Sequence, residues 1–393
     1  MKILRIIPSL DPKQGGPCQG IRNSIPELHK LGIENEVVCM DAPKAQYLEQ
    51  DPFTIHTLGK GKTSWGYHKD LVPWLLSCYN RYDVVIVHGL WQYHSHAAIK
   101  AMLAHRKAHT ISPKIYVMPH GMLDPYFQKA RERGLKALRN EIYWRFFENK
   151  VINEADGILF TCAEELLLAR TTFPNYRPKK EINVGYGIQQ PPVYEPHMQQ
   201  AFTAKVSNWN GKPYLLFLSR VHPKKGVDVL IKAYLKLENE LGTIPQLIIA
   251  GPGMEGAYGK EMLVLASAST NILFPGMLRG DAKWGAFYKS EAFVLPSHQE
   301  NFGIALVEAL ACSKPVLISN KVNIWREIAK DNGGIVRNDN EKETYQLLKL
   351  WLLLSGNDKS KMASAAQRVY QDHFTMAQAA QQFIKGLQLK TTK

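Results

Sequence analysis

Strand-length apolar runs alternate with segments of helical period from one end of this chain to the other. Parallel sheets give that alternation, because strands covered on both faces read as continuous apolar stretches and the crossovers between them are helices. In the first half the predicted strands are 2–7, 36–40, 84–88, 115–118, 157–161 and 182–184. The pattern then lapses into a polar, turn-rich stretch, 189–213, with Gln-Gln-Pro-Pro near its start and Asn208-Trp-Asn-Gly211 near its end, which reads as an interdomain linker. A second series follows at 214–219, 246–250, 272–274, 292–295, 315–319 and 334–336, each with helix-compatible sequence after it. The expected fold is therefore α/β, with two Rossmann-like doubly wound domains at 1–190 and 191–375. An amphipathic helix, 376–389 within a last segment 376–393, is expected to pack back on the first domain.

The length of 393 residues supports this division, since single cores stop growing near that size. With 45% hydrophobic and 21% charged residues the chain belongs with folded globular proteins and not with disordered ones. Its longest apolar runs, such as Tyr214–Leu218, are far shorter than the roughly 20 residues of a spanning helix. The opening Met1-Lys-Ile-Leu-Arg5 reads as a first strand and not as a signal peptide. Five cysteines, Cys18, Cys39, Cys78, Cys162 and Cys312, form no C-x-x-C pair, which points to a reducing cytoplasm and away from a disulfide framework or zinc site. The formal charge of +14 directs attention to anionic partners: nucleotide phosphates, anionic lipid head groups or nucleic acid.

The chemistry concentrates at His298-Gln-Glu300-Asn301-Phe302-Gly303-Ile304 and on to Glu308, where a strand end passes into a helix predicted over 303–311. Open α/β sheets take ligands at the carboxyl ends of their strands. The first amides of a helix have no partner within it, so Phe302, Gly303 and Ile304 offer N–H groups to phosphate or hydroxyl oxygens. Glu300 and Glu308 can each accept hydroxyl protons from a sugar or ribose. The same residues also read as a helix-capping carboxylate and a solvated helix position.

Further elements share that character. After strand 214–219, Ser219-Arg220-Val-His-Pro-Lys-Lys225-Gly226 sets Arg220 and Lys225 where they suit a diphosphate, or form a solvated basic loop. After the first strand, the Gly15-Gly16 loop lets backbone approach a phosphate, although it is neither G-x-G-x-x-G nor a Walker loop. His120, in Met118-Pro-His120-Gly121, stands at a strand end as a hydrogen-bond donor, an acid or base, or a turn cap. His88, His94 and His96 cluster near Trp91 without a carboxylate motif to complete a metal site, and Asp-x-Asp is missing from the chain. Between Lys129 and Lys150 lie seven basic residues, Lys129, Arg131, Arg133, Lys136, Arg139, Arg145 and Lys150, against Glu132, Glu141 and Glu148. Leu135, Leu138, Ile142 and Phe146 recur among them at helical spacing. A core-packed helix with a solvated basic face is the leading reading of that segment, and a helix resting on an anionic membrane is the second.

Taken in order, the Gly15-Gly16 loop, Pro119-His120-Gly121, Ser219-Arg220 with Lys224-Lys225-Gly226, the Glu300-to-Glu308 stretch and a terminal helix after Phe374-Thr375 resemble the retaining glycosyltransferases of family four. The resemblance implies the GT-B architecture, two Rossmann-like domains facing across a cleft. It also implies transfer of a hexosyl group from a nucleotide-diphosphate sugar, UDP- or GDP-linked, with no metal or other cofactor. Carried over residue by residue, it gives Glu300 to the donor sugar, Glu308 to the ribose, and Asn301, Phe302, Gly303 and Ile304 to the sugar and phosphates. Arg220, Lys225 and Gly16 go to the diphosphate, with Gly15 beside them, His120 to the transferred sugar, and Leu278 in Gly276-Met-Leu278 to the base-binding turn. Asn301 departs from the glycine of many relatives.

The implied acceptor is a saccharide or a lipid-linked sugar in surface polysaccharide or glycolipid assembly. The implied setting is the cytoplasm, with the inner face of the membrane as a candidate surface and no nucleic acid as partner. A nucleotide-sugar epimerase or a phosphorylase of the same fold is the rival enzyme reading. A nucleotide- or nucleic-acid-binding module without turnover is the rival outside enzymes.

Overall fold

A computed structural model of the chain describes residues 1–130, 134–206 and 208–389. Two compact units emerge, one of residues 1–187 joined by the helix Met376–Leu387, the other Ile188–Thr375. The first holds seven strands: β1 (Lys2–Ile6), β2 (Glu34–Cys39), β3 (Thr54–Thr57), β4 (Val84–His88), β5 (Lys114–Met118), β6 (Gly157–Phe160) and β7 (Glu181–Asn183). They pair in parallel in the order β3-β2-β1-β4-β5-β6-β7. The second holds β8 (Tyr214–Leu218), β9 (Gln246–Ala250), β10 (Ile272–Gly276), β11 (Ala292–Leu295), β12 (Val316–Ser319) and β13 (Gly334–Arg337), in parallel order β10-β9-β8-β11-β12-β13. In both sheets the winding reverses once, between β1 and β4 and between β8 and β11. At such a reversal the crossover helices leave in opposite directions and open a crevice at the strands' carboxyl ends.

Burial explains which strands were visible in the sequence. Every residue of β4, β6, β9, β11 and β12 is buried, as two-sided cover requires. β3, with the sequence Thr-Ile-His-Thr, escaped prediction because it lies at the sheet's edge with no fully buried residue, so no apolar run marks it. The C-terminal helix buries Met376, Ala379, Ala380, Phe383 and Leu387. Ala380, Phe383 and Leu387 join one cluster with Ile3, Leu28, Ile33, Val84 and Leu159 of the first unit.

Two expectations need correction. The stretch 189–213 is not a free linker, because it contains the helix Pro196–Lys205, whose Met198 and Phe202 are buried. Gly285, on the helix Gly280–Lys289, lies so close to the Met198 carbonyl and Phe202 that any Cβ there would overlap them. Phe202 in turn stacks on Tyr214 of β8 at 5.3 Å between ring centroids. An apolar face with only Met198, Phe202 and Val206 in a polar stretch is too sparse to announce itself.

The basic segment departs from its leading reading. It forms the helix Gly134–Tyr143, a wider π turn Trp144–Glu148 and the helix Asn149–Glu154. Arg131, Glu132 and Arg133 lie outside the described residues. The face turned to the core carries Asn140, Trp144, Glu148 and Val151. The stripe expected to be core stands on the other side, with Leu135 87%, Leu138 60%, Ile142 49% and Phe146 67% exposed.

The packing at Gly285 yields a direct test. Gly285→Leu forces two helices apart, at a cost of roughly 1–3 kcal/mol for overpacking. Chemical denaturation should show an earlier midpoint for the second unit and an unchanged one for the first.

Candidate functional site

The second unit gathers its polar groups at the reversal between β8 and β11. The loop leaving β8 turns through Pro223–Lys225 to Gly226, which holds a left-handed conformation at φ 66°. Gly226 passes so near the Pro296 carbonyl, just beyond β11, that a side chain would overlap it. The His298 N–H donates to the Lys224 carbonyl at 2.9 Å and completes the tie between the two loops. Across that tie the buried Lys225 ammonium meets the Glu300 carboxylate in an ion pair. Glu300 is fixed by its backbone as well: its N–H donates to the Lys321 carbonyl and its carbonyl accepts from the Asn323 N–H, both at 2.9 Å.

Burial pushes the Glu300 carboxyl up. The charges of Lys225 and Lys224, with hydrogen bonds from Lys225 and the Asn301 N–H, outweigh it and hold the group below its ordinary value. It is therefore ionised at neutral pH and acts as an acceptor.

From Glu300 the chain turns through Asn301, Phe302 and Gly303 into the helix Ile304–Ala311. Gly303, the predicted first residue, instead caps it at φ 76°, so the helix starts one residue later than expected, and the Gly303 carbonyl accepts the first helical bond, from Val307, at 3.1 Å. The Asn301 side-chain oxygen Oδ1 accepts from the Asn323 side-chain Nδ2 at 3.2 Å. Phe302 is buried edge-on against Phe374 with ring centroids 5.6 Å apart, so its side chain serves the core and only its backbone faces the loop. Glu308, one helical turn on, pairs with Lys283 at 2.8 Å. Its burial holds it above the ordinary carboxylate value, against the opposing charge and hydrogen bond of Lys283.

Arg220 is exposed and has no ion-pair partner among the described residues. Leu278 is buried just after β10, where Gly276, at φ 75°, ends the strand. Thus Arg220, Lys225, Leu278, Asn301, Phe302, Gly303, Ile304, Glu300 and Glu308 all belong to loops and helix starts at the carboxyl edge of this one sheet. Sequence reasoning missed two contributors. Lys283 gave no signal, since its partner is 25 residues away on another helix. Gly251-Pro-Gly253 after β9 was legible as a turn: Cβ atoms at Gly251 and Gly253 would overlap the Ser219 and Val221 carbonyls, so both glycines allow that loop to lie on the β8 loop.

Gly15, Gly16 and His120 belong to the first unit. Gly15, at φ 88°, caps the helix Gly16–Lys30, and the Gly16 carbonyl accepts from the Tyr186 hydroxyl at 2.9 Å. His120 follows β5 in a left-handed conformation, φ 53°. Its Nε2 lies 2.9 Å from Nδ1 of His88, the last residue of β4. Burial first, and then the Arg5 charge, lower the His120 pKa to about 3, so the ring is neutral at pH 7 and is no general acid there. His94 turns its Nε2 to the His88 carbonyl at 2.9 Å, and His96 packs edge-on against Phe147, so the three clustered histidines do not converge on one point.

Comparison with known proteins follows the same division. Residues 199–369 match the family model described as glycosyl transferases group 1. An uncharacterised glycosyltransferase of Methanocaldococcus jannaschii is 27% identical over 134 residues, 34% of each chain. A D-inositol 3-phosphate glycosyltransferase of Rhodococcus jostii is 23% identical over 204 residues, 50% of this chain and 45% of that one. The chain thus spans between a third and a half of the length of these curated relatives. The crystal structure of Anabaena HepE in complex with UDP and glucose superposes with a TM-score of 0.73 at 18% identity, covering 99% of both chains. That likeness gives the fold, two Rossmann-like domains of the GT-B type. Residues 199–369 are thus similar to the glycosyl transferases group 1, within a chain whose fold is of the GT-B type.

Proposed function

We propose that the protein is a retaining glycosyltransferase, moving a hexosyl group from a UDP- or GDP-sugar to a saccharide or lipid-linked acceptor without a metal. The buried Lys225–Glu300 pair, held at the sheet's reversal point beside a helix start, is the observation that carries this reading. A leaving diphosphate gains negative charge in the transition state, and fixed cations and helix-terminal amides aimed at it lower the barrier. Lys225, exposed Arg220 and the amides of Gly303 and Ile304 supply those groups. Glu300, freed as Lys225 turns to phosphate, takes the sugar hydroxyls; Glu308 takes the ribose, and Asn301 and Phe302 contribute backbone contacts. Leu278 flanks the base. In the first unit Gly15 and Gly16 serve the phosphates and His120 the transferred sugar. The match of residues 199–369 to the glycosyl transferases group 1 supports the class of reaction.

The exposed stripe Leu135, Leu138, Ile142 and Phe146, flanked by Lys136, Arg139 and Arg145, supports a peripheral membrane site for a lipid-linked acceptor. No helix among the described residues is long and apolar enough to cross a membrane.

Calorimetry with UDP, GDP and ADP and their sugar conjugates identifies the donor, UDP first because the HepE structure holds UDP and glucose. With that donor, Lys225→Ala and Glu300→Gln should each lower kcat by about 10²–10³; unchanged transfer rejects the proposal. Glu300→Gln also leaves Lys225 buried and unpaired, costing about 3 kcal/mol at pH 7.

Because the folded Glu300 value lies below the unfolded 4.5, its contribution is complete above pH 4.5 and fades as pH falls through the folded value. The stability gap between wild type and Glu300→Gln in denaturant titrations should therefore close only below pH 4.5. Finally, Leu138→Glu with Phe146→Glu should abolish sedimentation with phosphatidylglycerol vesicles at low salt. If the wild type does not sediment either, the membrane site is rejected.

A further inference from the structure

Arg5, His88 and His120 form a file across three adjacent strands of the first unit, β1, β4 and β5. Arg5 is buried. Its Nε donates to Asn35 Oδ1 at 2.9 Å, and its Nη1 lies 3.4 Å from His88 Nε2. His88 Nδ1 lies 2.9 Å from His120 Nε2. His120 is the one member of the file that is not fully buried, so the file runs from the core to the sheet's carboxyl edge. Its backbone is held there because the next residue, Gly121 at φ 79°, donates its N–H to Glu165, whose carboxylate also accepts from the Thr161 N–H and hydroxyl.

The direction of every hydrogen bond in the file follows from its buried end. A guanidinium has five donors and no acceptor, so His88 Nε2 must accept. The single proton of a neutral His88 then sits on Nδ1 and is donated to His120 Nε2. That nitrogen in turn accepts, so the proton of His120 resides on Nδ1. Neutrality is secured by the surroundings. Arg5, His94 and His120 are the titratable groups nearest His88, none is anionic, and burial with their charges holds its pKa well below the ordinary value. Burial lowers Arg5 only to about 10, so it remains charged at pH 7.

We propose that Arg5 and His88 are positioning residues that lock His120 in its Nδ1–H tautomer, so that it meets a ligand oxygen as a neutral donor and never as an acid or base. The proposal rests on the reading of His120 as a contact of the transferred sugar, and it specifies the partner atom: an acceptor oxygen such as a sugar hydroxyl. A lone imidazole exchanges its proton between both nitrogens and would present the right edge only part of the time.

The test uses the full chain with 15N-labelled histidine. Imidazole NMR should show His120 protonated at Nδ1 and bare at Nε2, with no titration across about pH 5.5–8, the range of an ordinary histidine. His88→Phe removes the donor to Nε2. It should mix the tautomers and lower kcat/KM for the donor about tenfold, the weight of one hydrogen bond, with melting by circular dichroism confirming that the fold is intact. His88→Asn offers an N–H in place of Nδ1–H and should restore both readouts.

A proton on Nε2 in the wild type, or an unchanged tautomer in His88→Phe, overturns the proposal. His120→Ala separates the two claims. If it transfers sugar as well as wild type while the wild-type tautomer is as stated, the sugar contact fails and the tautomer lock stands.

Discussion

A buried ammonium is tolerable only with an anion against it, because desolvating an unpaired charge costs several kcal/mol. In the second unit that constraint joins two loops that the chain separates by 75 residues. Lys225 reaches Glu300 only if the β8 loop presses on the end of β11. A glycine at 226, the His298-to-Lys224 backbone bond and the anchoring of Glu300 to Lys321 and Asn323 are the local means to that end. The sheet sets the stage, since β8 and β11 are neighbours only because the winding reverses there. The polar groups of the candidate site and the core architecture therefore share one origin, the parallel order of six strands.

Much of this order was legible beforehand. Strands covered on both faces write their burial as apolar runs, and β4, β9 and β11 were bounded from the sequence as they occur. β3 was invisible because none of its residues is fully buried, so no apolar run marks it. The helix Pro196–Lys205 was hidden for a related reason: it buries two side chains, and the residue that makes room for it, Gly285, lies elsewhere in the chain. The stripe Leu135–Phe146 shows the converse. Periodicity reveals that one face differs from the other, and it cannot say which face meets the core when the buried side is built from Asn140, Trp144 and Glu148.

At the site, residue types and their places at strand ends could be read from the chain, whereas their partners could not. Glu300 and Lys225 were each identified for a ligand, and the structure gives them to one another; Glu308 likewise holds Lys283. Pairings of this kind depend on the heights at which two loops leave a sheet, which one-dimensional pattern does not encode. The same holds for His88 and His120, 32 positions apart and joined because β4 and β5 run in register up to His88 and Met118.

The C-terminal helix has a consequence for how the chain is made. Phe383 and Leu387 complete a cluster that begins with Ile3, so the first unit is not a continuous stretch of sequence. During synthesis domains generally fold as they emerge, amino-terminal ones first. Here the strands of the first sheet leave the ribosome early with one flank of their core still bare, while the second unit, continuous from Ile188 to Thr375, has all its residues sooner. The first unit's core is therefore completed only by a helix that follows the whole of the second unit in the chain.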